Sequence, residues 1–234
     1  MNSSPESGDV STGEVSIWDW DFALSIVPEI MAGLGVTLLA VILGMLIALT
    51  LGLAWTVMRR SASRWIRWPA GAVVEFVRST PLLVQIFFLF YVGPVIGLKL
   101  SPLVAGVLAL GLHYSCYTSE VYRAGIESVA KGQWEASRAL NLSALQTYRL
   151  IILPQAVTAI LPALGNYLIA MFKDAPLLSA ITVMGILQRA KIIGNETFRY
   201  LEPFTIVGVI FLVLSLISGL AVNRLEHRMK RRFA

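Results

Sequence analysis

The sequence predicts an all-α integral membrane protein with about five transmembrane helices and one helical insert on the cytoplasmic side. Three observations lead to this fold class. The 234 residues are 56% hydrophobic and only 14% charged, with a mean hydropathy of +0.73, which is too apolar for a soluble domain. The apolar residues fall into segments of about 20 residues or more, the length that crosses a bilayer. A polar amphipathic stretch, GQWEASRALNLSALQTYRLIILPQA, separates two of these segments.

Five apolar segments are predicted to span the membrane. They cover residues 28–57, 70–98, 102–126, 151–172 and 204–222. The fourth contains Pro154 and Pro162, which a transmembrane helix tolerates where neighbouring helices satisfy the freed carbonyls. An odd number of spans places the two termini on opposite sides of the membrane.

The N-terminal segment carries no basic residue, because neither Lys nor Arg occurs between Met1 and Met58. A cleavable signal peptide with a basic first region is therefore not expected. Residues 1–22, which are rich in Ser, Gly and acidic residues and include two Trp, are predicted to form an extracytoplasmic tail with an interfacial anchor. Residues 23–226 are predicted to be a single transmembrane domain, and residues 227–234 a basic cytoplasmic tail.

Basic residues gather on one side of the predicted spans. They are Arg59, Arg60, Arg64 and Arg67 after the first span, Arg123, Lys131, Arg138 and Arg149 around the insert, and Arg224, Arg228, Lys230, Arg231 and Arg232 at the end of the chain. Because Lys and Arg accumulate in cytoplasmic loops, we expect a multi-pass protein of the cell (inner) membrane with its N-terminus outside and its C-terminus in the cytoplasm. The same loops account for the net charge of +5, so nucleic acid is not an expected partner.

The insert at about residues 131–150 is predicted to contain two short helices. Residues 135–140 are good helix formers, and Asn141 can adopt the left-handed conformation that ends a helix. Ser143 and Gln146 have the spacing of a capping box, which starts a second helix. Such a helix pair fits an interfacial filler at the membrane surface or a knob that docks into a cytoplasmic partner, and its physical pattern favours neither.

Four stretches of the sequence resemble binding-protein-dependent ABC importer permeases. Glu135-Ala136-Ser137, then Asn141 and the run IILP at residues 151–154, resemble the EAA loop of these permeases. The stretches VRSTPLLVQIFFLFY, YTSEVYRAGIESVAKGQWEA and LPQAVTAILPALGNYLIAMFKDAPLLSAI resemble the polar amino-acid uptake branch. The resemblance covers about residues 25–230 and implies the type I ABC importer permease fold.

The resemblance also implies partners and a coupling role for the insert. In that family the loop docks in a groove of the ATPase subunit, which implies that Gly132, Glu135, Ala136, Ser137 and Asn141 transmit its movement. Two ATP-binding cassette subunits, a second permease, as a homodimer or heterodimer, and an extracytoplasmic solute-binding protein are then expected, besides membrane lipid. The sequence contains no G-x-x-x-x-G-K-[ST] phosphate loop, so ATP hydrolysis is expected in another subunit and this chain is not expected to be an enzyme.

Two positions depart from the family pattern. Asn141 replaces the usual Gly of the loop, and Lys173-Asp174-Ala175-Pro176-Leu177 replaces a run that is usually Lys-Asp-Thr-Ser-Leu. The second departure makes the segment similar to permeases for ectoine and hydroxyectoine, which are compact cyclic zwitterions. The expected solute is therefore a small polar zwitterion, either an amino acid or an ectoine-like compatible solute.

A second class of function is an ion-coupled secondary transporter or a channel subunit, which needs membrane-buried charges coupled to an ion. No metal or cofactor site is expected, since the single Cys116 excludes a multi-Cys cluster and no His-Glu-x-x-His or nucleophile elbow is present. Uptake driven by an ion gradient without an ATPase would distinguish this class.

Polar residues within the spans are the candidates for the solute path, because such groups face the interior of a helix bundle. The candidates are Gln85, Tyr91, Tyr117, Glu120, Asn166, Lys173 and Asp174. For Glu120 an ion pair with Arg123, three residues further along one helix, is an equal alternative. For Gln85, Tyr117 and Asn166 the alternative is an interhelical hydrogen bond, and for Lys173 it is snorkelling to the interface.

Overall fold

The computed structural model describes the backbone of residues 17–233 and the side chains of residues 17–224. In this part of the chain all regular elements are helical. The α-helices are α1 (Trp20–Met31), α2 (Leu34–Arg59), α3 (Arg64–Ser79), α4 (Leu82–Phe87), α5 (Pro102–Glu127), α6 (Lys131–Ala139), α7 (Ala144–Gln146), α8 (Leu153–Asp174), α9 (Ile186–Thr197) and α10 (Leu201–Phe233). The predicted tail at residues 1–16 and the side chains of the basic tail at residues 227–234 lie outside the described part.

The centre of the fold is the contact between α2 and α5. Every fourth residue on one side of α2 is small and buried: Ala40, Gly44, Ala48, Gly52 and Thr56. Small residues let two membrane helices approach closely and exchange polar contacts. Thr118 donates a hydrogen bond to the carbonyl of Ala48 at 2.7 Å, and Thr56 donates to that of Ser119 at 3.0 Å. Gly52 faces Thr118 so closely that a Cβ there would overlap the hydroxyl, so this packing requires glycine.

Within residues 17–233, three helices are long and apolar enough to cross a membrane: α2, the continuous helix over Ala144–Ile181, and α10 over Leu201–Arg224. α3 and α4 pass the same criterion together, as a bent pair. α5 has 26 residues, but its buried surface includes Tyr, Ser and Thr side chains that lower its apolar character. Because α5 packs against α2, α3, α4 and α8, these polar groups face protein rather than lipid. The five predicted segments overlap these elements, but α5 does not meet the criterion of length and composition, so five spans stay a prediction.

The second predicted span, residues 70–98, is not one straight helix. The chain bends by 106° between α3 and α4, where Thr80 is extended because the proline that follows disfavours a helical conformation there. Gln85 donates from Nε2 to the carbonyls of Val77 at 2.7 Å and Thr80 at 3.1 Å. This side chain therefore satisfies carbonyls that the bend leaves without helical partners. Beyond α4 the chain continues through a π-helical turn, Phe88–Val92, and a 3₁₀ turn, Gly93–Ile96.

The first predicted span, residues 28–57, is also divided, since α1 ends at Met31 and α2 begins at Leu34. At the junction a Cβ on Gly33 would lie 2.5 Å from the carbonyl carbon of Gly185, so glycine allows close backbone contact. Gly185 precedes α9, an element that the sequence did not predict because it is short and mixed in polarity. α9 joins α1 and α10 in an apolar cluster that includes Ile26, Ile30, Ile186, Ile193 and Val207.

A three-residue ion cluster, the Arg199 clamp, ties the start of α1 to the start of α10. Asp19 caps α1 by accepting the N–H of Phe22 at 3.0 Å, and its other oxygen lies 3.1 Å from Arg199. Arg199 also pairs with the buried Glu202, and its guanidinium lies 4.7 Å from the centre of the Phe22 ring. The clamp joins residues that are 180 positions apart.

The insert at residues 131–150, named here the coupling segment, forms the two predicted short helices. α6 ends at Ala139, and Asn141 has a φ of 52°, the left-handed conformation expected there. The Ser143–Gln146 capping box is present in both directions, at 3.3 and 2.9 Å. α7 then continues through a π-helical turn, Thr147–Ile152, into α8. The helix therefore runs without a break from the coupling segment into the membrane.

Candidate functional site

Four aromatic rings from α5 and α8 form one cluster where these two helices meet. They are His113, Tyr114, Tyr117 and Tyr167, and this set is named the aromatic cluster. Ring centroids lie 5.1 Å apart for His113 and Tyr117, 5.7 Å for Tyr117 and Tyr167, and 6.1 Å for Tyr114 and Tyr167. These separations are typical of interacting aromatic pairs. Nδ1 of His113 is buried and has no hydrogen-bond partner among the described residues.

Asp174 lies beside this cluster at the end of α8. Its Oδ2 accepts the phenolic hydrogen of Tyr114 at 2.7 Å. The side chain is partly buried, and within the described residues no cationic group lies within ion-pair distance of it. A carboxylate next to several aromatic faces can bind an organic cation, through charge and through the negative faces of the rings.

Glu120, one helical turn beyond Tyr117, is surrounded by three arginines. Its Oε1 lies 2.7 Å from Nη1 of Arg59 and 3.3 Å from Nη1 of Arg78, and its Oε2 lies 2.7 Å from Nη2 of Arg123. This set is named the Glu120 network. The Arg123 pair agrees with the structural alternative expected from the sequence, whereas Arg59 and Arg78 come from other helices. Glu120 thus partly neutralises three positive charges.

Arg78 joins the Glu120 network to the aromatic cluster. Its guanidinium carbon lies 5.4 Å from the centre of the Tyr117 ring, and the Tyr117 hydroxyl donates to the Arg78 carbonyl at 3.5 Å. Arg78 is also 3.7 Å from Glu75, as the i, i+3 spacing predicts. Its Nε is buried without an acceptor in the described part of the chain, so one N–H of this guanidinium makes no hydrogen bond among these residues.

The Glu120 network also reaches the coupling segment. Arg123 pairs with Glu127 at 2.9 Å, and Glu127 lies 3.9 Å from Arg60. Arg60 in turn donates to the hydroxyl of Tyr148 at 3.4 Å. Polar contacts therefore lead from the coupling segment to Arg78 and the aromatic cluster.

The coupling segment presents most of its predicted contact residues to solvent. Gly132, Glu135, Ala136 and Asn141 are exposed, and only Ser137 is buried, where its hydroxyl donates to the Gln133 carbonyl at 2.6 Å. Leu140, Leu145 and Leu150 are also exposed, at 64 to 75%. Trp134 instead packs edge-on against Tyr148 at 5.5 Å and stabilises the helix pair. An exposed apolar and charged knob is a surface suited to docking.

The remaining predicted residues lie apart from the aromatic cluster. Gln85 stabilises the bend before α4, although its Oε1 is buried without a partner among the described residues. Tyr91 is 58% exposed and packs against Phe87 and Phe90. Asn166 and Lys173 are exposed on α8 and are seven positions apart, which places them on one face of that helix.

Sequence reasoning did not select Tyr114, Tyr167, Arg59 or Arg78 for the site. Tyr114 and Tyr117 are three residues apart on α5, and Tyr167 and Asp174 are seven apart on α8, so each pair shares a helix face. This spacing in the sequence could have predicted that the members of each pair lie together. The pairing of Arg59 with Glu120 joins residues 61 positions apart, and no local pattern reveals it.

Comparison with known proteins identifies the family of this chain. Residues 40–231 match the family model described as the inner membrane component of binding-protein-dependent transport systems. The chain belongs to this permease family. The permease is 44% identical to the probable amino-acid ABC transporter permease protein y4tG of Sinorhizobium fredii, over 96% of this chain and 95% of that protein. It is 34% identical to the arginine transport system permease protein ArtQ of Bacillus subtilis, over 90% and 97%.

A solved structure agrees with the fold. The permease matches a chain from a crystal structure of an amino acid ABC transporter with histidines, with a TM-score of 0.86 and 34% identity, over 90% of this chain and 99% of that chain. The type I ABC importer permease fold is thereby confirmed. Relatives of the permease are membrane subunits without enzymatic activity, and ATP hydrolysis lies in a separate subunit. Family membership implies ATP-binding and substrate-binding partners and does not favour the ion-coupled or channel alternative.

Proposed function

We propose that this permease subunit imports a small zwitterion, an amino acid or an ectoine-like compatible solute, through a path lined by the aromatic cluster and Asp174. The relatives described above are permeases of amino-acid and arginine transport systems, which supports a solute that carries both an ammonium and a carboxylate. The observation that carries the proposal is the Asp174 carboxylate, which is held by a phenol and lacks a cationic partner in the described structure.

The cationic end of the solute is assigned to Asp174 and the tyrosine faces. A carboxylate forms charge-assisted hydrogen bonds with an ammonium or amidinium group, and aromatic faces attract the same cation. Tyr114 orients Asp174 through its hydroxyl, at 2.7 Å. Because Tyr117 and Tyr167 stand 5.7 Å apart, a compact cation can contact both rings.

The carboxylate end of the solute requires donors on the opposite side of the cluster. Arg78 supplies a partly exposed guanidinium next to Tyr117. Lys173 and Asn166 are exposed on α8 and lie apart from the cluster, so they are candidates for contacts elsewhere along the path. An amino-acid carboxylate and the ring carboxylate of ectoine offer the same acceptor geometry, so this arrangement suits both solutes.

The choice between these solutes rests on Ala175 and Pro176. These residues begin a 3₁₀ turn, Ala175–Ile181, directly after Asp174, and they replace two hydroxyl residues of the usual family pattern. Loss of two donors beside the site favours a solute with fewer polar groups, such as cyclic ectoine, over a polar amino-acid side chain. Competition between the two solutes for uptake would rank them.

The proposed assembly contains two permease subunits, two ATP-binding cassette subunits and an extracytoplasmic solute-binding protein. The N-terminus faces outward and the C-terminus the cytoplasm, consistent with the one-sided distribution of basic residues. In this arrangement the coupling segment contacts the ATPase, and the contacts from Tyr148 to Arg60 and the Glu120 network connect that surface with the solute path.

Asp174→Asn tests the solute site in the complete importer reconstituted in vesicles. The variant keeps the size of the side chain but removes its charge, so uptake should fall roughly 10- to 100-fold, corresponding to a lost charged hydrogen bond of ~1.5–3 kcal/mol. Asp21→Asn is the matched control, because Asp21 is an exposed carboxylate outside the site. Normal uptake by Asp174→Asn, with control and variant equally abundant in the membrane, would exclude this site.

Ala136→Trp tests the coupling surface separately. Ala136 is exposed, so a large side chain should leave the permease folded but prevent close contact with the ATPase, and solute-stimulated ATP hydrolysis should fall at least tenfold, as expected for the loss of more than ~1.4 kcal/mol of docking. The control is Ala62→Trp, at an exposed alanine between α2 and α3. Full stimulation in the Ala136 variant would show that the ATPase docks elsewhere.

A further inference from the structure

α3 presents three different faces along its length. Ala70, Val74 and Val77 form the buried face. Trp65, Trp68 and Phe76 are exposed by 91%, 71% and 71% and form an aromatic face. Arg64 and Arg67 lie beside this face in the first turn, with both side chains exposed. The helix is therefore amphipathic, although it is also part of a bent membrane segment.

The two arginines of this turn differ from the arginines of the Glu120 network. Arg59, Arg78 and Arg123 each lie within 3.3 Å of Glu120. Arg64 and Arg67 have no ion-pair or hydrogen-bond partner in the side chains described for residues 17–224. Their positive charges are thus available to an external anion.

Two adjoining grooves run along this part of α3. One, of about 540 Å³, is lined by Arg59, Arg67, Trp68, Gly71, Ala72, Glu75 and Arg123. The other, of about 590 Å³, is lined by Arg64, Trp65, Trp68, Pro69 and Ala72. Trp68 and Ala72 belong to both grooves, so basic and apolar surfaces are continuous. Glu75 is the only acidic lining residue in these two sets, and it lies on the Arg78 side.

The grooves lie on the same side of the fold as the coupling segment. Arg60, four residues before α3, contacts Tyr148 of that segment, so the N-terminus of α3 is on the same side. Trp side chains are enriched where hydrocarbon meets the polar headgroups, and basic pockets between membrane helices bind anionic lipid headgroups. We propose that Arg64 and Arg67 bind the phosphate of an anionic phospholipid whose acyl chain lies along Trp68 and Phe76.

The geometry favours a lipid over the ATPase subunit as the occupant. Trp65 and Phe76 are 11 residues apart, so the aromatic face extends about 16 Å along the helix axis at 1.5 Å per residue. A water-soluble subunit can reach the basic turn, but an apolar chain is needed to cover an aromatic strip that continues along a membrane segment. A phospholipid supplies both the anion and the chain in one molecule.

Native mass spectrometry of the complete importer tests this site. The purified complex is mixed with phosphatidylglycerol and phosphatidylcholine, and the lipids that remain bound are counted. Wild type should retain phosphatidylglycerol preferentially. Arg64→Gln combined with Arg67→Gln should weaken this retention roughly 30-fold, as expected from the loss of two basic residues near a lipid surface. Lys99→Gln combined with Lys191→Gln removes the same charge elsewhere and should leave retention unchanged.

Three outcomes would overturn the proposal. The first is equal retention of phosphatidylglycerol by wild type and the α3 double variant. In the second, inorganic phosphate displaces the lipid from the site, which indicates a site for a free anion. In the third, the double variant loses its ATPase subunit while it keeps the lipid, which identifies the grooves as a subunit contact. A further variant, Trp65→Ala with Trp68→Ala, should lower retention without changing the preference for the anionic headgroup.

Discussion

The Glu120 network and the Arg199 clamp are both ion clusters that join distant parts of the chain, but their charge ratios are opposite. In the clamp one guanidinium stands between two carboxylates, Asp19 and Glu202. In the Glu120 network one carboxylate stands among three guanidiniums, contributed by α2, α3 and α5. The clamp keeps a partner for Arg199 when one carboxylate is removed. Among the described residues Arg59 contacts no second carboxylate, whereas Arg78 and Arg123 also pair with Glu75 and Glu127.

This difference indicates that the Arg199 clamp is a structural link between two helices, whereas the Glu120 network changes when helices move. The clamp fastens α1 to α10 and adjoins an apolar cluster, and no candidate solute contact belongs to it. The Glu120 network lies between the aromatic cluster and the coupling segment, and Glu120 is the carboxylate that its three guanidiniums share. Movement of α2, α3 or α5 therefore changes several strong contacts at once.

Glu120→Gln should give the largest effect. The amide cannot neutralise three guanidiniums, so the free energy of unfolding should fall by ~3 kcal/mol, the low end for a broken buried ion pair, because Glu120 keeps a fifth of its side chain exposed. We expect a lower Tm in detergent and less protein in the membrane. Adding Arg59→Gln should restore part of the loss, since one repelling charge is removed. Normal Tm and abundance with impaired uptake would instead identify Glu120 as a solute contact.

Gly52→Ala should give an intermediate effect and tests whether helix packing positions the network. Gly52 lies two turns before Arg59 on α2, and a new Cβ would overlap the Thr118 hydroxyl and lie 2.9 Å from the Ser115 carbonyl. Separation of α2 from α5 should cost about 1–3 kcal/mol, as for overpacked cores. Gly35→Ala is the control, because nothing lies within 4 Å of its Cβ position. Equal Tm values for the two variants would show that α2 can shift without loss.

Asp19→Asn should give the smallest effect, because the asparagine still caps α1 and Glu202 still holds Arg199. The N–H of Phe22, and then Arg199, hold the pKa of Asp19 below its ordinary value of 3.8. A lowered pKa in the folded state means that the stabilisation is complete above this ordinary value and is lost as the pH falls through the lower folded value. The Tm difference between wild type and Asp19→Asn should therefore be constant from about pH 5 to 7 and disappear in stronger acid. A difference that grows on acidification would contradict this assignment.

Local patterns in the sequence predicted local structure correctly. The left-handed Asn141, the Ser143–Gln146 capping box and the Glu120–Arg123 pair all involve residues within one or two helical turns, where spacing determines which groups meet. The bend at Thr80–Pro81 was missed although the proline was visible, because proline is tolerated within some membrane spans and the apolar run continued through it. Tertiary contacts decided that this proline ends a helix.

The candidate site was predicted only in part, for a physical reason. Tyr117, Glu120 and Asp174 were selected because polar groups are rare within apolar segments, but partners from other helices depend on how the bundle packs. Tyr167 and Arg78 meet Tyr117 from α8 and α3, and Arg199 meets Asp19 across most of the chain. Gln85 donates to carbonyls at the bend, as in the hydrogen-bonding alternative left open for it, and its place on the solute path stays a prediction.

The uninterrupted helix over Ala144–Ile181 has a mechanical consequence. Its 38 residues extend about 57 Å at 1.5 Å per residue, nearly twice the thickness of the hydrocarbon core. It acts as a lever with the coupling segment at one end and Asp174 near the other, about 45 Å from Ala144. A tilt of about 5° about one end displaces the other by roughly 4 Å. This displacement exceeds the 2.7 Å that joins Asp174 to Tyr114, so a small rotation imposed from the cytoplasm is sufficient to open or close this contact at the proposed solute site.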